Sequence, residues 1–207
     1  MNYFAIDIET MPNPEAIKHL PKVKAKGTLK DPKKIQADID SKKQTQIDKM
    51  ALSPEFGKVA CIGIWGEDRK EVLIGDEKEI LEKFFKFLSS WERVGKDIIT
   101  YNGKGFDFDF IYKRAIFHNL AKLQDLKQWT DRYKAYNHID LMAEYCKYGE
   151  YKSLDLLGAI YLGETKLDFD VKKIPEMMKT KEGQEKLKAY CLKDCELTYK
   201  LAKRFGY

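Results

Sequence analysis

The amino-acid sequence predicts a mixed α/β domain, and three features of the residue pattern support this prediction. Residues 4–10 alternate in character as a strand does, and residues 59–74 contain two further strand-like runs separated by a Gly-Glu-Asp turn. Residues 184–204 repeat their apolar side chains with the spacing of a helix. With 207 residues, of which 43% are hydrophobic, the chain 1–207 is long enough to form a single domain with an ordinary core.

The first strand places two carboxylates on one face. Because strand side chains alternate, an apolar set points one way and a partly acidic set points the other way. The apolar set is Phe4, Ile6 and Ile8, and the other set is Ala5, Asp7 and Glu9. The residues of this strand alone leave two interpretations open, a metal site or the solvated face of an edge strand.

The basic character of the chain is concentrated in one insertion, at about residues 12–56. The formal net charge is +5, and residues 18–49 hold ten lysines against four acids. Asp31 and Pro32 provide an N-cap and a first-turn proline, which predict a helix that ends near Met50. This segment either contacts a polyanion such as nucleic acid or simply keeps the protein soluble.

The middle of the chain predicts a helix that packs on the sheet, followed by a strand and a tight turn. Asp76 can cap the helix, with Glu79 as its reciprocal partner. The strand at residues 97–101 leads into Asn-Gly-Lys-Gly-Phe-Asp at residues 102–107, where the two glycines permit a turn into a further helix. Asp107 then lies near a helix start, where an acid is also favoured simply by the helix dipole.

The last third predicts a strand at residues 136–140 and helices at 141–147, 153–162 and 184–204. Within the last helix, one stripe should be buried, and its members are Leu187, Tyr190, Asp194, Leu197 and Leu201. A buried carboxylate is costly unless a partner compensates it. Asp194 therefore belongs either to a functional site, with Tyr190 one turn away, or to a structural hydrogen bond with the backbone.

Several classes of protein are disfavoured. No apolar run approaches the roughly 18 residues of a membrane span, and the first strand begins too early to leave room for a signal peptide. We therefore expect a soluble, cytoplasmic protein without a membrane partner. The four cysteines lack paired metal-type spacing, which predicts reduced and mostly buried thiols.

Three short motifs resemble those of one enzyme superfamily. Residues 4–10 (FAIDIET), 102–107 (NGKGFD) and 190–194 (YCLKD) are similar, in this order, to the motifs of DEDD, or DnaQ-like, 3′-to-5′ exonucleases. The resemblance covers nearly the whole chain and is greatest to the proofreading domain of family B DNA polymerases and its stand-alone relatives. It implies a ribonuclease H-like fold, that is, a mixed five-stranded sheet flanked by helices.

The resemblance also implies a catalytic site. Asp7, Glu9, Asp107 and Asp194 would hold two divalent cations, Mg²⁺ or Mn²⁺, with Asp7 shared by both ions, for two-metal hydrolysis of phosphodiester bonds. Tyr190 would orient the attacking water, which indicates the tyrosine variant of the superfamily. The histidines of the chain, His19, His118 and His138, are all far from Asp194 in sequence.

By the same resemblance, some residues would contact the terminal nucleotide of the substrate, namely Thr10, Met11, Asn102 and Phe106. The expected substrate is the 3′ end of mainly single-stranded DNA, and a DNA polymerase is a possible partner. RNA as the substrate of an exoribonuclease of the same fold and a non-catalytic single-strand-binding module are the alternatives. The chain ends just after the third motif, which suggests a stand-alone nuclease of bacterial or phage type.

Two further acids lie near predicted element ends. Asp140 could cap the helix that follows it, and Asp109 could take the place of Asp107. We do not expect either residue to bind metal.

Overall fold

The computed structural model describes residues 3–92, 97–131, 137–147 and 149–207. Its centre is a five-stranded sheet in the order β3-β2-β1-β4-β5. The strands are β1 (Tyr3–Pro12), β2 (Gly57–Trp65), β3 (Lys70–Ile74), β4 (Asp97–Thr100) and β5 (His138–Asp140). The first strand is therefore the middle strand of the sheet and not an edge strand, which removes one of the two interpretations of its acids.

Helices surround the sheet. They are α1 (Pro32–Met50), α2 (Glu77–Glu92), α3 (Asp107–Phe117), α4 (Leu123–Thr130), α5 (Leu141–Tyr145), α6 (Leu154–Leu162), α7 (Ile174–Met177) and α8 (Lys181–Phe205), with short 3₁₀ helices at Pro14–His19 and Val171–Lys173. Within the described residues, no helix is both long enough and apolar enough to cross a membrane.

The sheet is mixed, as expected. β1 pairs antiparallel with β2 and parallel with β4, while β2 continues antiparallel to β3 and β4 continues parallel to β5. The register between β1 and β2 shifts between Glu9 and Thr10, where an irregularity of the β-bulge kind interrupts the ladder. Such irregularities bend a strand locally and change the direction of its side chains.

The two faces of β1 face different layers of the protein. Phe4, Ile6 and Ile8 belong to a core cluster formed with α2 and α3. Tyr3 and Ala5, on the opposite face, pack with side chains of α8. Helix α8 therefore covers the face of β1 that carries Asp7 and Glu9, and the predicted alternation of the strand is confirmed.

Most predicted elements occur close to their expected bounds, with some differences. Helix α8 begins at Lys181, because Thr180 caps it by accepting a hydrogen bond from Gly183 N at 3.0 Å. Helix α5 ends at Tyr145, and the strand expected at 136–140 is observed at His138–Asp140, with residue 136 outside the described residues. Helices α4 and α7 were not expected from the sequence. All four cysteines are free and buried, as predicted.

The insertion between β1 and β2 folds back on the end of β1. Asp31 caps α1, as expected, by accepting hydrogen bonds from the backbone of Lys33 and Lys34 at 2.8 and 3.2 Å. At the other end of α1, the hydroxyl of Thr10 donates to the carbonyl of Ala51 at 2.6 Å. This contact fixes the last turn of α1 beside the end of the central strand.

Candidate active site

Three carboxylates from two elements converge where β1 meets α8. One oxygen each from Asp7, Glu9 and Asp194 lie within 4.8 Å of one another. Asp194 and Glu9 are buried, and Asp7 is partly buried. The acids meet because α8 packs the buried stripe that includes Asp194 against the face of β1 that carries Asp7 and Glu9.

Asp107 joins the site from a third element. It is the first residue of α3, is 4% exposed, and accepts a hydrogen bond from the backbone N–H of Ile8 at 3.1 Å. Ile8 lies between Asp7 and Glu9 in β1, so this bond fixes the start of α3 to the acidic part of the strand. Asp107 therefore lies near enough to raise the pKa values of Asp7 and Glu9 by its charge, beside the group of three carboxylates that Asp7, Glu9 and Asp194 form.

The turn that presents Asp107 is organised by Asp140. The carboxylate of Asp140 accepts hydrogen bonds from the backbone N–H groups of Asn102 and Lys104, both at 2.9 Å, and also caps α5. Asn102, and not a glycine, adopts the left-handed conformation, with a φ of 67°. Gly103 is required for another reason, because a Cβ there would lie 2.3 Å from the hydroxyl oxygen of Thr100.

Burial and mutual repulsion raise the pKa values of the acids. Burial contributes most to the shift, and it raises the pKa of Asp107 to about 7 and that of Asp194 to about 6. The pKa values of Asp7 and Glu9 are raised well above their usual range, again by burial first and then by neighbouring negative groups. A bound cation would compensate these charges and would displace the protons that otherwise neutralise them.

Asp194 has an incompletely satisfied carboxylate. Its Oδ2 lies 2.5 Å from the ammonium of Lys166, whose side chain is 30% exposed. Its Oδ1 is buried and has no hydrogen-bond partner in the described part of the chain. A buried, partnerless carboxylate oxygen beside two other carboxylates fits a site for a hard divalent cation.

Tyr190 lies one turn before Asp194 on α8 and is 7% exposed. Its ring stacks on Phe169 with a centroid distance of 4.1 Å and an interplanar angle of 15°. The Lys166 ammonium lies 5.3 Å from the ring centroid. Burial, and secondarily the charge of Asp194, raises the pKa of the Tyr190 hydroxyl to about 12, so this group remains protonated and can donate a hydrogen bond at neutral pH.

The residues expected to contact a nucleotide do not all line one cavity. Thr10 and Phe106 line a cleft of about 380 Å³ that also includes Glu9. Met11 packs in a core cluster with Ile174 and Leu187 and also lines a different cavity, together with Lys58 and Glu77. Asn102 lines a separate depression together with Lys104 and Asp140.

Other polar residues near the site have structural partners. Asp109 forms an ion pair with Lys113 at 2.8 Å, so it does not take the place of Asp107. His138 is buried between Thr100 and Trp129, and burial lowers its pKa to about 4. The sequence reasoning missed Lys166, because it lies in a segment without regular periodicity and only the tertiary structure brings it to Asp194.

Comparison with known proteins identifies related sequences. The chain is 27% identical over 181 residues to a DNA polymerase of Thermococcus litoralis, which covers 73% of this chain and 10% of the polymerase. It is 27% identical over 199 residues to DNA polymerase 1 of Sulfurisphaera ohwakuensis, which covers 85% of this chain and 21% of that protein. The chain thus spans only about a tenth to a fifth of the length of these relatives.

The fold is found in a solved polymerase. The family B DNA polymerase of the archaeon Pyrobaculum calidifontis matches with a TM-score of 0.63 at 17% identity, over 99% of this chain and 24% of that one. This similarity confirms the expected ribonuclease H-like fold. Residues 47–207 match the family model described as "Predicted 3'-5' exonuclease related to the exonuclease domain of PolB". The chain therefore belongs to this family of exonucleases related to the exonuclease domain of family B DNA polymerases.

Proposed function

We propose that this protein is a metal-dependent 3′-to-5′ exonuclease that hydrolyses phosphodiester bonds at the 3′ end of mainly single-stranded DNA. The main support is the cluster of oxygens from Asp7, Glu9 and Asp194 within 4.8 Å, together with the buried Oδ1 of Asp194, which has no hydrogen-bond partner among the described residues. Such an all-carboxylate set suits Mg²⁺ or Mn²⁺. Membership of the exonuclease family agrees with this chemistry.

The ligands of two divalent cations would be Asp7, Glu9, Asp107 and Asp194. When bound, the cations supply an activated water and offset the negative charge that develops on the phosphate. Two contacts hold two of these carboxylates in place. The hydrogen bond from Ile8 N to Asp107, at 3.1 Å, orients one carboxylate, and the packing of α8 on β1 fixes Asp194.

Tyr190 and Lys166 would act on the water and on the substrate. The Tyr190 hydroxyl, which keeps its proton at neutral pH, would donate a hydrogen bond that orients the attacking water, as in the tyrosine variant of the superfamily. The Lys166 ammonium already lies 2.5 Å from Asp194. If Asp194 holds a metal ion, this ammonium would be available to neutralise a phosphate oxygen of the substrate.

The proposal extends to domain organisation and partner. Residues 1–207 would form one nuclease domain in which the segment at about residues 12–56 is an insertion. Because the related proteins named above are DNA polymerases, the 3′ ends that this nuclease trims would be those that a polymerase extends.

A cleavage assay tests the proposed function. A single-stranded DNA labelled at its 5′ end, and a matched RNA, are incubated with the native protein, with Asp194→Asn and with Asp109→Asn. Asp109 is the matched control, because it is a neighbouring acid already paired with Lys113. We expect a ladder that shortens from the 3′ end of DNA with the native protein and with Asp109→Asn.

In the same assay, Asp194→Asn and a chelator should each abolish the ladder. Preferential degradation of RNA would replace the deoxyribonuclease assignment with an exoribonuclease. Binding of DNA without cleavage of either strand type, with Mg²⁺ or Mn²⁺ present, would reject the nuclease and leave a single-strand-binding module.

A further inference from the structure

An apolar groove of about 220 Å³ lies within the insertion between β1 and β2, and no residue that lines it belongs to the three motifs. One side is formed by Ile17, Leu20 and Val23, and the other side by Gln46 and Ile47 of α1. All of the lining residues except Ile47 precede residue 47, where the match to the family model begins. The groove is therefore a feature of the insertion of this chain.

Hydrogen bonds hold the two sides of the groove together. The side-chain amide of Gln46 donates to the carbonyl of Pro21 at 3.1 Å. The ammonium of Lys42, one turn earlier on α1, donates to the carbonyl of Lys24 at 2.9 Å. These bonds fix the loop beside α1 in the free protein, so a ligand meets a groove that is already formed.

The apolar side chains of the groove are only partly covered by the protein itself. Among residues 13–49, all of which the structure describes, Ala16 is the only buried residue. Ile17 is 43% exposed, and Leu20, Val23 and Ile47 are half-buried. None of these four side chains belongs to a core cluster of the described residues. A second molecule that covers them with aliphatic groups would remove this apolar surface from water.

The groove lies in the most basic part of the chain. Residues 16–30 contain five lysines and no acid, and Lys22 of this stretch lines the groove. Lys22 is exposed and forms no ion pair with another described residue. The groove therefore combines an apolar floor with a positively charged rim, which is complementary to a ligand that is both aliphatic and acidic.

Nucleic acid is another polyanion that a basic stretch can attract, but the residue types of the insertion suit it poorly. Proteins that bind single strands combine cations with aromatic side chains, on which the bases stack. Residues 13–49 contain no Phe, Tyr, Trp or Arg. A second copy of this chain is also disfavoured, because two equally basic surfaces repel each other. The aliphatic lining and the lysines together favour an acidic peptide.

We propose that this groove docks a short acidic peptide segment with aliphatic side chains, which a partner protein contributes. The aliphatic side chains of the peptide cover Ile17, Val23 and Ile47, and its carboxylates lie at Lys22. The inference is independent of the proposed exonuclease activity, because the lining residues lie outside the three motifs.

The test measures the fluorescence anisotropy of a fluorescein-labelled peptide, Asp-Asp-Leu-Glu-Asp-Ile-Leu-Glu, titrated with the full chain. Two control peptides carry either Asn and Gln in place of the acids or Ser in place of Leu and Ile. The groove variants are Ile17→Ser and Lys22→Glu, both at exposed positions.

Each groove variant has a matched control. Ile160→Ser replaces an aliphatic side chain that is 63% exposed but lies on α6. Lys33→Glu reverses a charge at the start of α1. Lys33 lies about 21 Å along the helix from Ile47, well beyond the screening length of about 8 Å at physiological salt.

We expect the native protein to bind the acidic peptide and to bind both control peptides at least about 10-fold more weakly. Ile17→Ser and Lys22→Glu should each raise the dissociation constant about 3- to 10-fold, and the effect of Lys22→Glu should shrink as salt is added. Ile160→Ser and Lys33→Glu should bind as the native protein does. Absence of binding, equal binding of the three peptides, or equal effects of the control variants overturns the proposal.

Two further measurements detect other occupants of the groove. Affinity for oligothymidylate that falls in Ile17→Ser, with no peptide bound by the native protein, would assign the groove to nucleic acid. A native dimer in sedimentation that Ile17→Ser converts to a monomer would assign it to a second copy of the chain. Either result overturns the docking of an acidic peptide.

Discussion

The ammonium nitrogen of Lys166 lies 2.5 Å from Oδ2 of Asp194, a carboxylate whose Oδ1 is buried without a partner in the described residues. Among the described residues, the charge and the hydrogen bond of Lys166 compensate Asp194 most, and a hydrogen bond from Tyr190 adds to them. The same position is where a divalent cation would bind. If Asp194 is a metal ligand, the lysine would compete with the metal for it.

Replacing Lys166 with methionine should tighten metal binding to the free protein. The substitution keeps the length of the side chain but removes the charge that occupies Asp194, so we expect the dissociation constant for Mn²⁺ to fall about 3- to 30-fold. Isothermal titration calorimetry measures this. Lys193→Met, which disrupts an ion pair with Glu164 at 2.6 Å, is the control and should leave the affinity unchanged. Weaker Mn²⁺ binding by Lys166→Met would contradict the competition.

Replacing Tyr190 with phenylalanine should reduce turnover but preserve the fold. The ring stacked on Phe169 at 4.1 Å is retained, and only the hydroxyl that would orient water is lost. We expect kcat on single-stranded DNA to fall about 10- to 100-fold with KM nearly unchanged. Steady-state kinetics provides both values. Native kinetics in Tyr190→Phe together with a loss of activity in Phe169→Leu would assign the role of Tyr190 to packing instead.

Replacing Asp107 with asparagine should stabilise the metal-free protein at high pH. The pKa of Asp107 is raised to about 7, so its ionisation destabilises the folded state as pH rises from the unfolded pKa, near 4, through the folded pKa. Asparagine keeps the acceptor for Ile8 N and removes this cost. We expect a gain of roughly 2–4 kcal/mol in the free energy of unfolding at pH 8, with no gain below pH 4.

Urea denaturation with chelator present, repeated across this pH range, measures the Asp107 effect. Saturating Mn²⁺ should reverse its sign at pH 8, because the native carboxylate then has a cation to bind. A gain that is independent of pH would show that folding does not raise the pKa of Asp107.

Replacing Arg114 with alanine should destabilise the fold strongly without touching the acids. Arg114 pairs with Glu77 at 2.7 Å, with side chains 4% and 8% exposed, and Glu77 also accepts from Val59 N at 2.8 Å. Removing the guanidinium leaves the buried Glu77 carboxylate with His118, at 2.8 Å, as its remaining ion-pair partner among the described residues, and we expect a cost of about 3–5 kcal/mol. Arg69→Ala, which breaks a half-exposed pair with Glu71, should cost under about 1 kcal/mol. Equal losses in urea denaturation would contradict the role of burial.

Neutralising Lys33, Lys34 and Lys43 to glutamine tests whether the insertion contacts phosphates. If all three do, the slope of log affinity against log salt on single-stranded DNA should become shallower by about 2. Equivalent substitutions of Lys78, Lys83 and Lys86 in α2 are the control. An unchanged slope would assign the lysines to solubility alone. Lys42 is kept because it pairs with Asp38 at 2.8 Å.

Local physical chemistry made much of the fold predictable from the sequence. The alternation of β1 separated Ile6 from Asp7, and Ser153 and Gly163 bounded α6 through capping and a left-handed residue. The helical stripe of α8 identified Asp194 as a buried acid. These predictions depend on spacing within a single element, which the sequence contains directly.

Other features depended on contacts between distant segments. The sequence could not show that Lys166 reaches Asp194, or that Asp140 holds the backbone of Asn102 and Lys104, because no local period connects these residues. The sequence also could not show that Met11 packs in a core cluster, in a strand whose register shifts between Glu9 and Thr10, and its contact with a nucleotide stays a prediction.

The sequence by itself determined the family motifs, the mixed α/β class and the candidate acids Asp7, Glu9, Asp107 and Asp194, because residue type and short-range period carry that information. Only the tertiary structure decided which charges compensate those acids and which side chains line the adjacent cleft. These contacts depend on the packing of α8 on β1 and on the hydrogen bond from Thr10 to Ala51 at the end of α1. Packing between elements that lie far apart in the chain is not encoded in any local pattern.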